Sequence, residues 1–221
     1  MQVKNCKGHA IIPAAGLGTR MGSPINGKEM LRDEVTGERL IDWPIKLAFD
    51  NGLIPIIGIS ANKIALRTYI NSKYPKARVV VTPQQGEWPH TVLALSKYWH
   101  KNCNILILPD TRFDKESFMN LLEHPSEVGF AVHRVKDASK YGMVKQFNDR
   151  VFTSEKPSPK AAGELAWGLI RWNSIEAGLQ IFNAYKIRGN WTRLLTSNVN
   201  FVRLNWFIDI TRNGKILDWL P

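Results

Sequence analysis

Apolar residues in the first half of the chain fall into short continuous runs separated by stretches of helical period. Such runs mark strands covered on both faces, and the intervening stretches mark crossover helices. A strand is predicted from His9 to Pro13, followed by a helix over Ile41 to Asn51, where Ile41, Ile45, Ala48 and Phe49 recur at helical spacing and Gly52 closes it. Leu53 to Ser60 reads as the next strand, and Asn62 to Lys73 as a helix stopped before Pro75. Arg78 to Thr82 is a short β-rich run leading through a loop into a helix over Thr91 to His100. Asn104 to Leu108 is a buried strand ending at Pro109-Asp110.

Beyond Asp110 the pattern changes. Val128 to Arg134, Gly142 to Phe147, Val151 to Ser154 and Ala166 to Trp172 are short strands, with a turn at Asn148-Asp149. A helix follows over Ser174 to Tyr185, then late strands over Asn200 to Leu204 and Trp206 to Ile210. Pro157, Ser158 and Pro159 are too few to act as a spacer and mark a loop. The alternation of strands and helices predicts one α/β domain over residues 1–221 with a doubly wound, mostly parallel sheet and an inserted β section.

Composition narrows the functional classes. No segment reaches the ~18 to 20 apolar residues of a membrane span. The first residues, Met1 to Lys7, lack the apolar core of a signal peptide, so a cytoplasmic protein is expected. Cys6 and Cys103 have no C-x-x-C spacing, and the five histidines are scattered, which argues against a zinc site. Lys plus Arg exceed Asp plus Glu by 30 to 19, a net charge of +11 that favours polyanionic partners. No basic run, zinc finger or RNP-type motif points to nucleic acid, so the field is assigned to a triphosphate and a phosphorylated second substrate.

The segment Ala10-Ile11-Ile12-Pro13-Ala14-Ala15-Gly16-Leu17-Gly18-Thr19-Arg20-Met21 runs from an apolar strand into a glycine-opened, arginine-bearing loop. Gly16 and Gly18 are expected to take positive φ, so that main-chain N–H groups point at phosphate oxygens, and Arg20 adds a fork of charged donors. A dinucleotide fingerprint would need its third glycine one residue before Gly22, and a P-loop would need Lys directly after its last glycine, then Ser or Thr. Neither fits. An ordinary strand-to-helix turn is the competing reading.

Five motifs in order resemble the sugar nucleotidyltransferases, also called nucleoside-diphosphate-sugar pyrophosphorylases. They are the G-x-G-T-R loop with downstream Lys28, Leu108-Pro109-Asp110, Tyr141-Gly142-Met143-Val144, Glu155-Lys156-Pro157 and Trp206-Phe207-Ile208-Asp209. At Lys28 the sequence departs from that pattern, since Gly27 stands where the family usually has proline. The resemblance implies a Rossmann-like fold and Mg²⁺-dependent transfer of a nucleotidyl group to a sugar 1-phosphate, the inserted β section lying on the sugar side.

It also implies roles. Ala14, Ala15, Gly16, Gly18 and Thr19 would bind the nucleotide, while Arg20 clamps the leaving phosphates and Lys28 stabilises the transition state at the α-phosphate. Gln84, Gln85 and Gly86 would read the base, because an amide both donates and accepts at a base edge. Trp88, in the same loop, would stack on a ring or cap the core. Gly142, Glu155 and Lys156 would hold the sugar phosphate, with a solvated Lys–Glu pair as the alternative. Asp110 and Asp209 would ligate Mg²⁺, although Asp110 also suits a helix N-cap or turn and Asp209 an alternating surface position. Homo-oligomerisation is left open. Two other functions compete: nucleotidyl transfer to a non-sugar phosphorylated alcohol such as phosphocholine, and a non-catalytic nucleotide sensor of the same fold.

Overall fold

A computed structural model describes residues 8–18, 27–32, 36–83, 87–157, 165–196 and 198–210. Strand β1 (Gly8–Pro13) leads to helix α1 (Asp42–Asp50), β2 (Leu53–Ile59), α2 (Ile64–Lys73), β3 (Arg78–Val81) and α3 (Trp88–Ala94). Next come β4 (Asn104–Leu106), β5 (Thr111–Phe113), α4 (Lys115–Glu123), β6 (Val128–Arg134), β7 (Gly142–Phe147), β8 (Arg150–Glu155) and β9 (Leu165–Trp172). Helix α5 (Ile175–Tyr185), β10 (Thr192–Arg193), β11 (Val199–Arg203) and β12 (Phe207–Asp209) complete the order. The chain divides into two compact units: Met1–His100 with Leu106–Arg112 and Ile208–Pro221, and Lys101–Ile105 with Phe113–Phe207.

In the first unit β1 pairs β2 and β2 pairs β3, both parallel. Parallel neighbours need a crossover, and α1 and α2 supply the two. This is the parallel arrangement that the sequence pattern predicts, in keeping with the Rossmann-like fold that the resemblance implies. The ladder continues past β1, because the Ala14 amide donates to the Gly58 carbonyl at 2.7 Å. Ile12, Ala14, Ile41, Ile45, Ile57, Ile59, Leu66 and Ile70 form one buried cluster between these strands and helices. Each fully buried isoleucine contributes on the order of 2 kcal/mol, so the cluster fixes where β1 ends.

The second unit is mainly antiparallel. Strand β9 pairs both β6 and β7, β7 pairs β8, and β8 pairs β10, while β11 joins β6 in parallel. The predicted turn at Asn148-Asp149 closes the β7–β8 hairpin, where Phe147 faces Arg150 and Asn148 takes φ 54. Asparagine tolerates that left-handed geometry.

Two predictions need correction. The helix expected over Thr91 to His100 starts earlier, at Trp88, and gives way after Ala94 to a 3-10 turn over Ser96–Tyr98. Pro89 explains the early start, since proline suits the first helical turn. Strand β5 and helix α4 were not predicted at all. Helix α4 is nonetheless amphipathic, burying Phe118, Leu121 and Leu122, and its N-cap Asp114 accepts from the Ser117 amide at 2.8 Å. Asp114, not Asp110, therefore caps a helix. Among the described residues no helix is long and apolar enough to cross a membrane.

Asp42, fully buried at the start of α1, anchors that helix to α2. Its carboxylate accepts from the Tyr69 and Tyr74 hydroxyls at 2.8 and 2.9 Å, from Lys73 Nζ at 3.0 Å and from the Arg39 amide at 2.9 Å. Burial alone would raise its pKa, but these bonds together hold it below the ordinary carboxylate value. The stabilisation is therefore present above about pH 4 and fades as pH falls through the depressed value. Asp42→Asn is expected to lower stability by about 1 to 3 kcal/mol at pH 7 in urea unfolding. The deficit should shrink as pH falls from the ordinary carboxylate value through the depressed one of the folded state, where the wild-type carboxylate protonates.

Candidate active site

Beyond β1 the backbone leaves the core within a few residues: Ala14 and Ala15 are buried, and Gly16 and Leu17 are exposed. Gly18 takes φ 68, as expected for a turn that directs amides at an anion. Gly16 does not. Its φ lies outside the left-handed region and a Cβ there would meet nothing within 4 Å, so that expectation fails and its role reduces to leaving open space. Thr19, Arg20, Gln84, Gln85 and Gly86 lie outside the described residues.

The chain re-enters at Gly27, followed by a 3-10 turn over Lys28–Met30. Gly27 has φ 82 and ψ 150, a combination essentially confined to glycine, and a Cβ would stand 2.8 Å from Glu29 Oε2 and 3.0 Å from Lys63 Cε. Proline, with φ locked near −65°, is barred from this position. The departure from the family pattern thus has a local conformational reason. Lys28 Nζ forms an ion pair with Asp110 Oδ2, both side chains being largely buried. Asp110 sits in the turn that follows Leu108.

Asp209 reaches the same neighbourhood through the backbone. The amide of Ile210, its immediate neighbour, donates to the Asp110 carbonyl at 2.9 Å. Asp110 and Asp209 thereby sit beside one another despite their separation in sequence. Asp209 is half-buried, at the end of β12. Among the described residues no cluster of three or more His, Cys, Asp or Glu is assembled for a metal.

Two residues here escaped the sequence reading. Lys63, 6% exposed, donates to the Ala14 carbonyl at 2.7 Å and to Glu29 Oε2 at 2.6 Å. Burial pushes the Lys63 ammonium below its usual pKa, Glu29 opposes that shift, and Lys28 adds repulsion. Glu29 itself is 1% exposed. Neither lies in a glycine or aspartate motif; the signal was a lysine four residues beyond the last residue of an apolar strand, at the carboxyl end where sites of parallel sheets form.

In the second unit, Gly142 begins β7, and a Cβ there would stand 2.1 Å from the indole nitrogen of Trp167. Close approach by tryptophan explains that glycine. Glu155 ends β8, 3% exposed, with Lys156 Nζ 3.6 Å from its Oε1. The pair is not a freely solvated surface pair. Lys156 adopts φ 50, while its amide donates to the Tyr141 carbonyl at 2.9 Å. A left-handed lysine costs about 1 kcal/mol relative to glycine, and such strain clusters at functional positions. Nearby, burial pushes the Tyr185 phenol well above its usual pKa, and the charge of Glu155 adds to that.

Comparison with solved structures identifies the architecture. A Bacillus anthracis protein assigned as a glucose-1-phosphate thymidylyltransferase superimposes with a TM-score of 0.68 at 14% identity, covering 96% of both chains. The chain has the sugar nucleotidyltransferase fold. UDP-glucose pyrophosphorylase from Acinetobacter baumannii gives 0.64 at 18% identity, over 94% of this chain and 89% of that one. The inositol-1-phosphate CTP transferase of T. maritima gives 0.66 at 15%, over 91% and 89%. The sequence matches no family model and no curated protein.

Two backbone measurements test this geometry. Gly27→Ala should destabilise the protein by about 1 to 3 kcal/mol, read by chemical denaturation, because the backbone strain and the contact with Glu29 act together. Lys156→Gly should stabilise it by about 1 kcal/mol by releasing the left-handed strain.

Proposed function

We propose that the protein is a nucleotidyltransferase that couples a nucleoside triphosphate to a sugar 1-phosphate, with residues 1–221 acting as one nucleotidyltransferase domain. A phosphate oxygen of the acceptor attacks the α-phosphorus, the bond from that phosphorus to the bridging oxygen breaks, and pyrophosphate leaves. The observation that carries this reading is the meeting of Lys28, Asp110 and the Asp209 strand end in the unit that holds the glycine turn. The shared fold supports it.

Phosphate repels phosphate, so the residues must align two anions and offset charge spreading over their oxygens. Gly18 and the surrounding amides would receive the triphosphate, together with Ala14, Ala15, Gly16 and Thr19. Lys28, on a flexible stem, would swing its ammonium between the Asp110 carboxylate and the α-phosphate, as a compact point charge does more readily than a guanidinium. Arg20 would hold the leaving phosphates, and Gln84, Gln85 and Gly86 would read the base. In the second unit Glu155 would accept from acceptor hydroxyls, and Lys156 would meet the acceptor phosphate beside Gly142.

Asp110 and Asp209 fit Mg²⁺ by donor chemistry. This hard cation takes one or two carboxylates and completes its shell with phosphate oxygens and water. Bound there, it would supply electrostatic stabilisation of the transferring phosphate. The nucleotide and sugar phosphate are the expected partners, in a cytoplasmic setting, and homo-oligomerisation is compatible with this role.

A second acceptor class is supported by the inositol-1-phosphate CTP transferase neighbour, whose acceptor is a phosphorylated cyclic alcohol. Screening triphosphates against sugar 1-phosphates and phosphorylated alcohols, with pyrophosphate release as readout, separates the two. Release with a sugar 1-phosphate supports the primary reading, and release only with a non-sugar acceptor replaces it. Lys28→Ala and Asp110→Asn should each lower kcat by about 100-fold or more while the protein stays folded.

A further inference from the structure

Lys63 and Glu29 form a buried ion pair with no place in the chemistry described so far. Burying two charges is expensive, and a well-packed apolar pair often serves stability equally well. Glu29 Oε1 is moreover buried without a hydrogen-bond partner, which a pair kept only for stability would avoid. The placement of the pair suggests another use. One partner of the Lys63 ammonium is the carbonyl of Ala14, a core residue two positions before the first glycine of the turn. The other is the carboxylate of Glu29, adjacent to Lys28.

Both anchor points are fixed. The Ala14 amide is bound to Gly58, and the Glu29 carbonyl accepts from the Ile41 amide at 3.2 Å, just ahead of α1. Gly27 makes room for the contact, since any side chain there would press on Glu29 and Lys63 together. Lys63 therefore spans the segment carrying the glycine turn, from its first residue to the residue after Lys28.

We infer that Lys63 is a positioning residue for nucleotidyl transfer, holding the entrance of the glycine segment and Lys28 at a fixed separation through Ala14 and Glu29. This inference rests on the nucleotidyl-transfer reading. Lys63 touches no reacting atom; it acts through Lys28, fixing the backbone position from which that ammonium swings to the α-phosphate. Misplacement by about 1 Å is enough to lower a rate about 100-fold.

Lys63→Met tests the tether, but it leaves the Glu29 carboxylate buried and uncompensated and so risks unfolding. Lys63→Met combined with Glu29→Gln removes both charges at similar volume and keeps the fold testable. In the folded double variant, kcat for pyrophosphate release should fall about 10- to 100-fold, with KM for the acceptor changed by less than about twofold. Hydrogen exchange should quicken at residues 14–18 and 27–31 while the β1–β2 ladder keeps its protection. A folded double variant with wild-type turnover, or a loss explained wholly by the unfolded fraction, would overturn the inference. A wild-type protein that releases no pyrophosphate from any substrate pair would instead sink the nucleotidyl-transfer reading. Exchange would then decide alone, and unchanged exchange at 14–18 and 27–31 would overturn the tether as well.

Discussion

A buried ammonium must find oxygen partners, because leaving it unsolvated and unpaired costs several kcal/mol. Lys63 finds them in the Ala14 carbonyl and the Glu29 carboxylate, and much of the first unit's local architecture follows from that need. Gly27 has to lack a side chain so that the three groups can close together. The turn that follows brings Lys28 to Asp110, and the backbone of Asp110 is in turn held by Ile210, beside Asp209. One electrostatic requirement thus connects the end of β1, the entry to α1 and the end of β12.

The two units place strain differently. In the first, the unusual backbone at position 27 is given to a glycine and so carries no steric penalty. In the second, a positive φ of 50 is imposed on Lys156, where glycine or asparagine would fit more easily. A lysine retained against its conformational preference suggests that its ammonium matters more than the energy lost. The same logic covers the Glu29–Lys63 pair, where charge persists at positions that packing alone would fill with apolar residues. On the proposed function, both cases exchange some stability for the placement of a positive group.

Much of the fold was legible because burial writes itself into pattern. The apolar runs at 9–13 and 53–60 gave β1 and β2 to within a residue or two, and the Asn148-Asp149 turn was readable from side chains that favour turn geometry. Helix α4 was less legible, because it is only nine residues long and its N-cap Asp114 stands four residues after Asp110, in a stretch where Pro109-Asp110 already signals a turn. The conformation of Gly16 was misread, since a glycine that simply leaves space looks identical in sequence to one that needs positive φ. Lys63 and Glu29 could not be paired from sequence, because lysine and glutamate are ordinarily solvated and nothing local marks these two as buried.

The candidate chemistry at Lys28, Asp110, Asp209 and Glu155-Lys156 is what the resemblance to sugar nucleotidyltransferases implies, while by itself the amino-acid sequence determined the α/β class and the order of the main elements. These depend on hydrophobic period, turn chemistry and residue type, all of which act over a few neighbouring positions. Only the tertiary structure decided that Lys28 meets Asp110, that Ile210 draws Asp209 alongside, and that Lys63 joins Ala14 to Glu29. Those contacts join residues far apart in the chain, and their strength comes from exclusion of water, a property that exists only once the strands and helices have closed over them.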